Sequence, residues 1–130
     1  MKELIGREVI ILDDDPGNTG IIVDIIEELY GEHGFKVVVC ATSDEVEELL
    51  SEVSLGAVLD NDVEGEIGGG LRAAKLIGEK FPKVKRIIMT GKPIKKDEEA
   101  ELTRNSEAFF RKPVFPTAII NKLIELMEGL

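Results

Sequence analysis

The sequence has no tryptophan, one cysteine and one tyrosine. A single thiol, Cys40, excludes an internal disulfide framework, and its place in an apolar run marks a packed side chain rather than a reactive one. No apolar run exceeds five residues, so no stretch is long enough to cross a bilayer as a helix. No apolar h-region follows the first residues, so no signal peptide is expected. Positive charge is also short: 16 Lys and Arg against 26 Asp and Glu leave a net charge of −10. That balance argues against direct binding to nucleic acid or an anionic membrane, which needs a basic face. The lone histidine, His33, lies between Glu32 and Gly34 and is expected in an exposed turn. From these features together the cytoplasm is the expected compartment.

What remains is enough for one core. With 130 residues and 43% hydrophobic content, residues 1–130 read as a single domain. Short apolar runs at Val9–Leu12, Phe35–Cys40, Gly56–Asp60, Arg86–Met89 and Ala108–Phe110 predict five strands. Between them run segments of helical period. Asp15 is placed as an N-cap and Pro16 as the first helical residue, followed by Ile22, Ile25, Ile26 and Leu29, with Gly31 and Gly34 as the stop. Thr42 with Glu45 fits a capping box ahead of Val46, Leu49, Leu50 and Val53. Glu64 to Gly70 reads as a loop, and a helix with Leu71, Ala74, Ile77 and Phe81 inward ends at Pro82. Ile94 to Arg104 is polar almost throughout and is the least secure helix. The last helix starts near Pro116 and buries Ile119, Ile120, Leu123, Ile124 and Met127. Strand–helix alternation five times over predicts an α/β fold, a doubly wound parallel sheet with helices on both faces.

Parallel strands put their carboxyl ends on one edge, where ligands of such sheets gather. Four of the five ends carry polar residues: Asp13 and Asp14, Asp60, Thr90, and Lys112. If the first and third strands are neighbours, three or four carboxylates crowd together, and two such charges ~4 Å apart repel by roughly 4 kcal/mol at a surface-like dielectric. Lys112 supplies one compensating charge, and a hard cation of the Mg²⁺ type suits a site of few carboxylates and waters. A carboxylate nucleophile at Asp60, a cation, a lysine and the Thr90 hydroxyl are the parts that take and hold a phosphoryl group.

On these residues the sequence resembles the receiver domain of two-component response regulators over essentially its whole length. The acid pair Asp13–Asp14 within Ile11-Leu12-Asp13-Asp14-Asp15-Pro16 matches the family pattern, as do Asp60 at the third strand end and Gly68 eight residues on. Thr90-Gly91 and Lys112-Pro113 match as well, with spacings of 30 from Asp60 to Thr90 and 22 from Thr90 to Lys112. Each motif alone is weak, and all in this order are specific. The resemblance implies a flavodoxin-like sheet of order 2-1-3-4-5 with five helices in three layers, and a cis bond before Pro113. It implies that Asp60 is the phosphoacceptor. Asp13, Asp14, Asp60 and the main-chain oxygen of Asp62 would hold Mg²⁺, with Thr90 and Phe109 as switch residues and Lys112 pairing with Asp60. It further implies a sensor histidine kinase or histidine phosphotransfer protein as donor, a downstream protein as reader, and room for dimerisation on phosphorylation. The domain would phosphorylate and dephosphorylate itself without turning over an outside substrate. Three departures stand out: Glu64 where proline is common, an acidic Asp62, and a Phe109 without a hydroxyl.

Two rivals have their own signals. Asp60-Asn61-Asp62-Val63 fits the nucleophile motif of haloacid-dehalogenase-type phosphatases, with Asp62 as general acid/base. There, however, the further acids follow the lysine, whereas here Asp13 and Asp14 precede the nucleophile. A flavodoxin-type cofactor binder would need a phosphate cradle after the first strand, and three aspartates in that place repel one.

Overall fold

The structure, a computed structural model, describes residues 6–63, 66 and 68–129, together with every side chain among them except that of His33. The expectations for Glu64 and for the exposure of His33 therefore lie outside the described residues. Five strands, β1 (Glu8–Leu12), β2 (Lys36–Cys40), β3 (Ser54–Asp60), β4 (Lys85–Thr90) and β5 (Ala108–Arg111), form one parallel sheet of order β2-β1-β3-β4-β5. The helices between and after them are α1 (Pro16–Tyr30), α2 (Ser43–Leu49), α3 (Gly69–Lys80), α4 (Lys96–Arg104) and α5 (Pro116–Glu128). A short 3₁₀ turn, Gly31–His33, closes α1, and Gly34 takes the left-handed conformation (φ 64°) that reverses the chain there.

Alternation along the strands sorts side chains to two cores. Val9 and Ile11 face α1 and α5 with Val58, Ile87 and Met89. Ile10 and Leu12 face α2, α3 and α4 with Ala57, Leu59 and Ile88. This is the three-layer α/β arrangement. β3 lies mid-sheet and all seven of its residues are buried, as a strand covered on both faces must be. One residue breaks the alternation. Between Glu8 and Val9 the pairing with β3 slips from Ser54 to Gly56, so Leu55 is the extra residue of a bulge and joins Val58 in the same core.

The caps follow the sequence closely. Asp15 accepts from the Gly17 N–H at 2.9 Å, with Pro16 opening α1. Thr42 accepts from the Glu45 N–H at 3.2 Å, while Glu45 reaches back to Ala41 rather than to the cap residue itself. Two element bounds are corrected. At the ends of the two periodic faces Leu29, Leu49 and Val53 are exposed (51%, 44% and 43%), because each face outruns the neighbours available to cover it. α2 stops at Leu49, so Val53 is not helical. The loop before α3 is shorter than expected, because Gly69 and Gly70 already belong to the helix. Among the described residues, no helix is long and apolar enough to cross a membrane.

Candidate functional site

The carboxyl ends of β1, β3, β4 and β5 meet because β1 and β3 are neighbours, and so are β3, β4 and β5. Asp60 ends β3 and is 3% exposed. One of its oxygens, Oδ1, accepts from the Asp62 N–H at 2.9 Å. The other, Oδ2, lies 3.1 Å from Lys112 Nζ. The side chain of Lys112 is about a third exposed while that of Asp60 is nearly covered. Removing the lysine would strand a buried carboxylate, a loss of ~3–5 kcal/mol in comparable pairs. Lys112 is held by its own N–H, which donates to the Thr90 carbonyl at 2.8 Å, and the bond to Pro113 is cis.

Asp13, Asp14 and Asp60 each offer an oxygen within 4.8 Å of the others. Asp13 is buried, and its N–H is tied to the Cys40 carbonyl at 3.0 Å. Its carboxylate accepts from the Asp15 N–H at 2.9 Å, which orients it at the start of α1. Burial pushes the Asp13 carboxyl above its usual range; the Asp15 N–H and the Lys112 ammonium oppose this, and the charges on Asp60 and Asp14 add to it. Three carboxylates against one ammonium leave the cluster short of positive charge. The donors are all hard oxygens, two of them buried, so the residues present fit a small divalent cation.

The expected residues divide into three sets. Asp13, Asp14, Asp60 and Lys112 are brought together. Thr90, 2% exposed at the end of β4, is close by, but its hydroxyl donates to Asp62 Oδ1 at 2.8 Å. Phe109 stands apart. It packs against the α2–α4 core, with the Arg111 guanidinium 5.7 Å from its ring centre.

Sequence reasoning missed the side-chain role of Asp62. Its second oxygen, Oδ2, accepts from the Gly91 N–H, so one carboxylate grips both residues that close β4. The available signal was strand adjacency: with β3 beside β4, an acid two residues past Asp60 falls opposite Thr90-Gly91. Asn61 was missed for the same reason. Its side chain accepts from the Leu71 N–H at 2.9 Å and fastens the first turn of α3 to the end of β3. Cys40 is buried as expected, and burial pushes its thiol up to about 11.

No family model matches the chain, and no curated protein matches it in sequence. The fold, by contrast, recurs widely among solved structures. The CheY-like response regulator receiver domain protein of Methanospirillum hungatei is 23% identical, with a TM-score of 0.74 over 95% of each chain. The signal receiver domain of a DNA binding response regulator from Colwellia psychrerythraea is 21% identical, with a TM-score of 0.75 over 94% of this chain and 98% of that one. The receiver domain of a sensor histidine kinase from Pseudomonas aeruginosa, solved with a magnesium ion coordinated in its active site cleft, is 18% identical. Its TM-score is 0.73 over 95% of this chain and 98% of that one. At these TM-scores, with five parallel strands in the order β2-β1-β3-β4-β5, this chain has the fold of a response regulator receiver domain.

Proposed function

We propose that this chain is the phosphoaccepting receiver of a two-component system, with Asp60 as the residue that carries the phosphoryl group. The observation behind this is a nearly covered carboxylate held 3.1 Å from an ammonium, beside two further carboxylates and on the open edge of a parallel sheet. An Asp60 oxygen forms a bond to phosphorus as the bond from phosphorus to the donor's imidazole nitrogen breaks. The imidazole departs with a proton from solvent, and the product is an acyl phosphate. Lys112 meets the charge of the incoming group. Asp13, Asp14, Asp60 and the main-chain oxygen of Asp62 would hold Mg²⁺, which would supply positive charge against the phosphoryl oxygens and the crowded carboxylates. The likeness to a neighbour with magnesium in its cleft supports this choice of ion.

The donor is a sensor histidine kinase or a phosphotransfer protein, and the reader is a protein, in keeping with a net charge of −10. The cytoplasm is the matching compartment. Thr90 and Phe109 relay the modified state to the surface of α4 and β5, where phosphorylation-dependent dimerisation would also be read. The domain serves no outside substrate and reverses its own modification by hydrolysis. The phosphatase reading is disfavoured because the Asp62 carboxylate, its would-be acid/base, is already engaged by Thr90 and Gly91.

Acetyl phosphate with Mg²⁺ is expected to add one phosphoryl group to the intact mass, and Asp60→Asn to add none. No gain in the wild-type chain, or an equal gain in the variant, overturns the assignment.

A further inference from the structure

Asp62 is bound at both ends. Its N–H donates to Asp60 Oδ1 at 2.9 Å, and its carboxylate takes the Thr90 hydroxyl at 2.8 Å and the Gly91 amide. A hydroxyl has one proton to give. With it on Asp62, Thr90 has none for another anion, and its lone pair faces the Lys92 N–H at 3.4 Å. Two donors converging on two oxygens of a single anion is the recognition that a phosphoryl group would need at this place. We propose that the Asp62 carboxylate is a resident anion in that seat, competing with the phosphoryl group for Thr90 and Gly91.

The inference rests on the receiver reading and adds a regulator to it. To engage Thr90, a phosphoryl group on Asp60 must displace a carboxylate that makes two charge-assisted hydrogen bonds, and must bring its own negative charge beside it. Asp62 thus raises the threshold for switching. It also holds the start of the β4–α4 connection in one arrangement while Asp60 is unmodified. The cavity lined by Asp62, Thr90, Lys92, Ile94 and Leu102, about 180 Å³, gives the displaced carboxylate somewhere to go.

The test uses the whole chain with beryllofluoride as the phosphoryl stand-in at saturating Mg²⁺, followed by titration calorimetry and amide spectra. Asp62→Ala is expected to bind beryllofluoride about tenfold more tightly, the equivalent of one lost charge-assisted bond. In a Thr90→Ala background that gain should fall at least threefold, because the contested donor is gone; simple charge repulsion would leave the gain intact. Without any ligand, exchange of the Gly91 amide should speed up about tenfold in Asp62→Ala. Equal affinity of wild type and Asp62→Ala, an undiminished gain in the Thr90→Ala background, or unchanged Gly91 exchange overturns the competition alone. Binding that survives Asp60→Asn, or is absent from every variant, overturns the receiver reading and the competition with it.

Discussion

α5 and α4 flank opposite faces of the same sheet, and they are fastened very differently. α5 buries Ile119, Ile120, Leu123, Ile124 and Met127 in the core it shares with α1. α4 buries Leu102 alone and begins without a side-chain cap. Fully burying one such side chain contributes ~1.5–3 kcal/mol, so five against one separates a structural helix from one that small free energies can move. α4 is also the helix reached directly from Thr90 and Gly91, the two residues gripped by Asp62. α5 therefore helps to fix the sheet whose strand ends carry the acid cluster, whereas α4, the one loosely held helix of the opposite face, follows directly from the residue pair that would sense a phosphoryl group. This is the division that a two-state signalling element requires.

The largest expected effect tests that division directly. Leu123→Ala should destabilise the domain by about 3–4 kcal/mol, in the middle of the range for a fully buried leucine. Leu102 is just as buried, yet Leu102→Ala should cost less, because its cost is capped by what docking α4 is worth. Its signature should be rapid amide exchange confined to Lys96–Arg104, with the rest of the chain still protected. Denaturant melting of both variants with exchange mapped along the chain decides the matter. If Leu102→Ala costs as much as Leu123→Ala, α4 is a structural helix like α5.

The asymmetry was already legible in the sequence. All five buried positions of α5 follow from helical period, and the polarity of Ile94–Arg104 marks its weakness, although the helix itself starts only at Lys96. The four strand ends that form the site were legible as well, because each carries a polar residue just past an apolar run. What escaped was whatever depends on which loops become neighbours. The grip of Asp62 on Thr90 and Gly91 joins residues 28 and 29 positions apart, and neither loop alone shows it. Leu29, Leu49 and Val53 escaped in the opposite sense: the period names a face, but only packing decides how far along that face there is a partner. The bulge at Leu55 left no trace in composition, since every residue of β3 is buried on either side of it.

A smaller effect compares how the two faces receive one added methyl group. A Cβ at Gly56 would meet Met127 Sδ at 2.7 Å and Leu123 Cδ1 at 3.0 Å, both on side chains of α5 that can turn aside. A Cβ at Gly70 would meet the backbone of Asn61, its N and Cα at 2.9 Å, and backbone cannot turn aside. Gly70→Ala should therefore cost about 2–3 kcal/mol and Gly56→Ala nearer 1 kcal/mol. Because Asn61 follows Asp60 directly, only Gly70→Ala should also disturb the amide signals of Asp60 and Asp62. A reversed order of stabilities would mean that the core beneath α5 is the stiffer of the two contacts.

The smallest effect concerns what holds α4 besides Leu102. Arg111 at the end of β5 pairs with Glu99 at 2.8 Å and lies over the Phe109 ring, while Lys75 of α3 pairs with Glu101 at 3.2 Å. All four charged side chains in these pairs are roughly half exposed, so each pair contributes only a few tenths of a kcal/mol in high-dielectric surroundings. Glu99→Ala should leave the melting midpoint almost unchanged but raise amide exchange within α4 by a small factor, and added salt should reproduce that rise in the wild-type chain. The global reading is insensitive because the rest of the fold does not depend on α4, whereas the local reading is sensitive because so little else holds it. A drop in global stability with no change in α4 exchange would show that the pair braces β5 instead, and that the mobility of α4 is set by Leu102 alone.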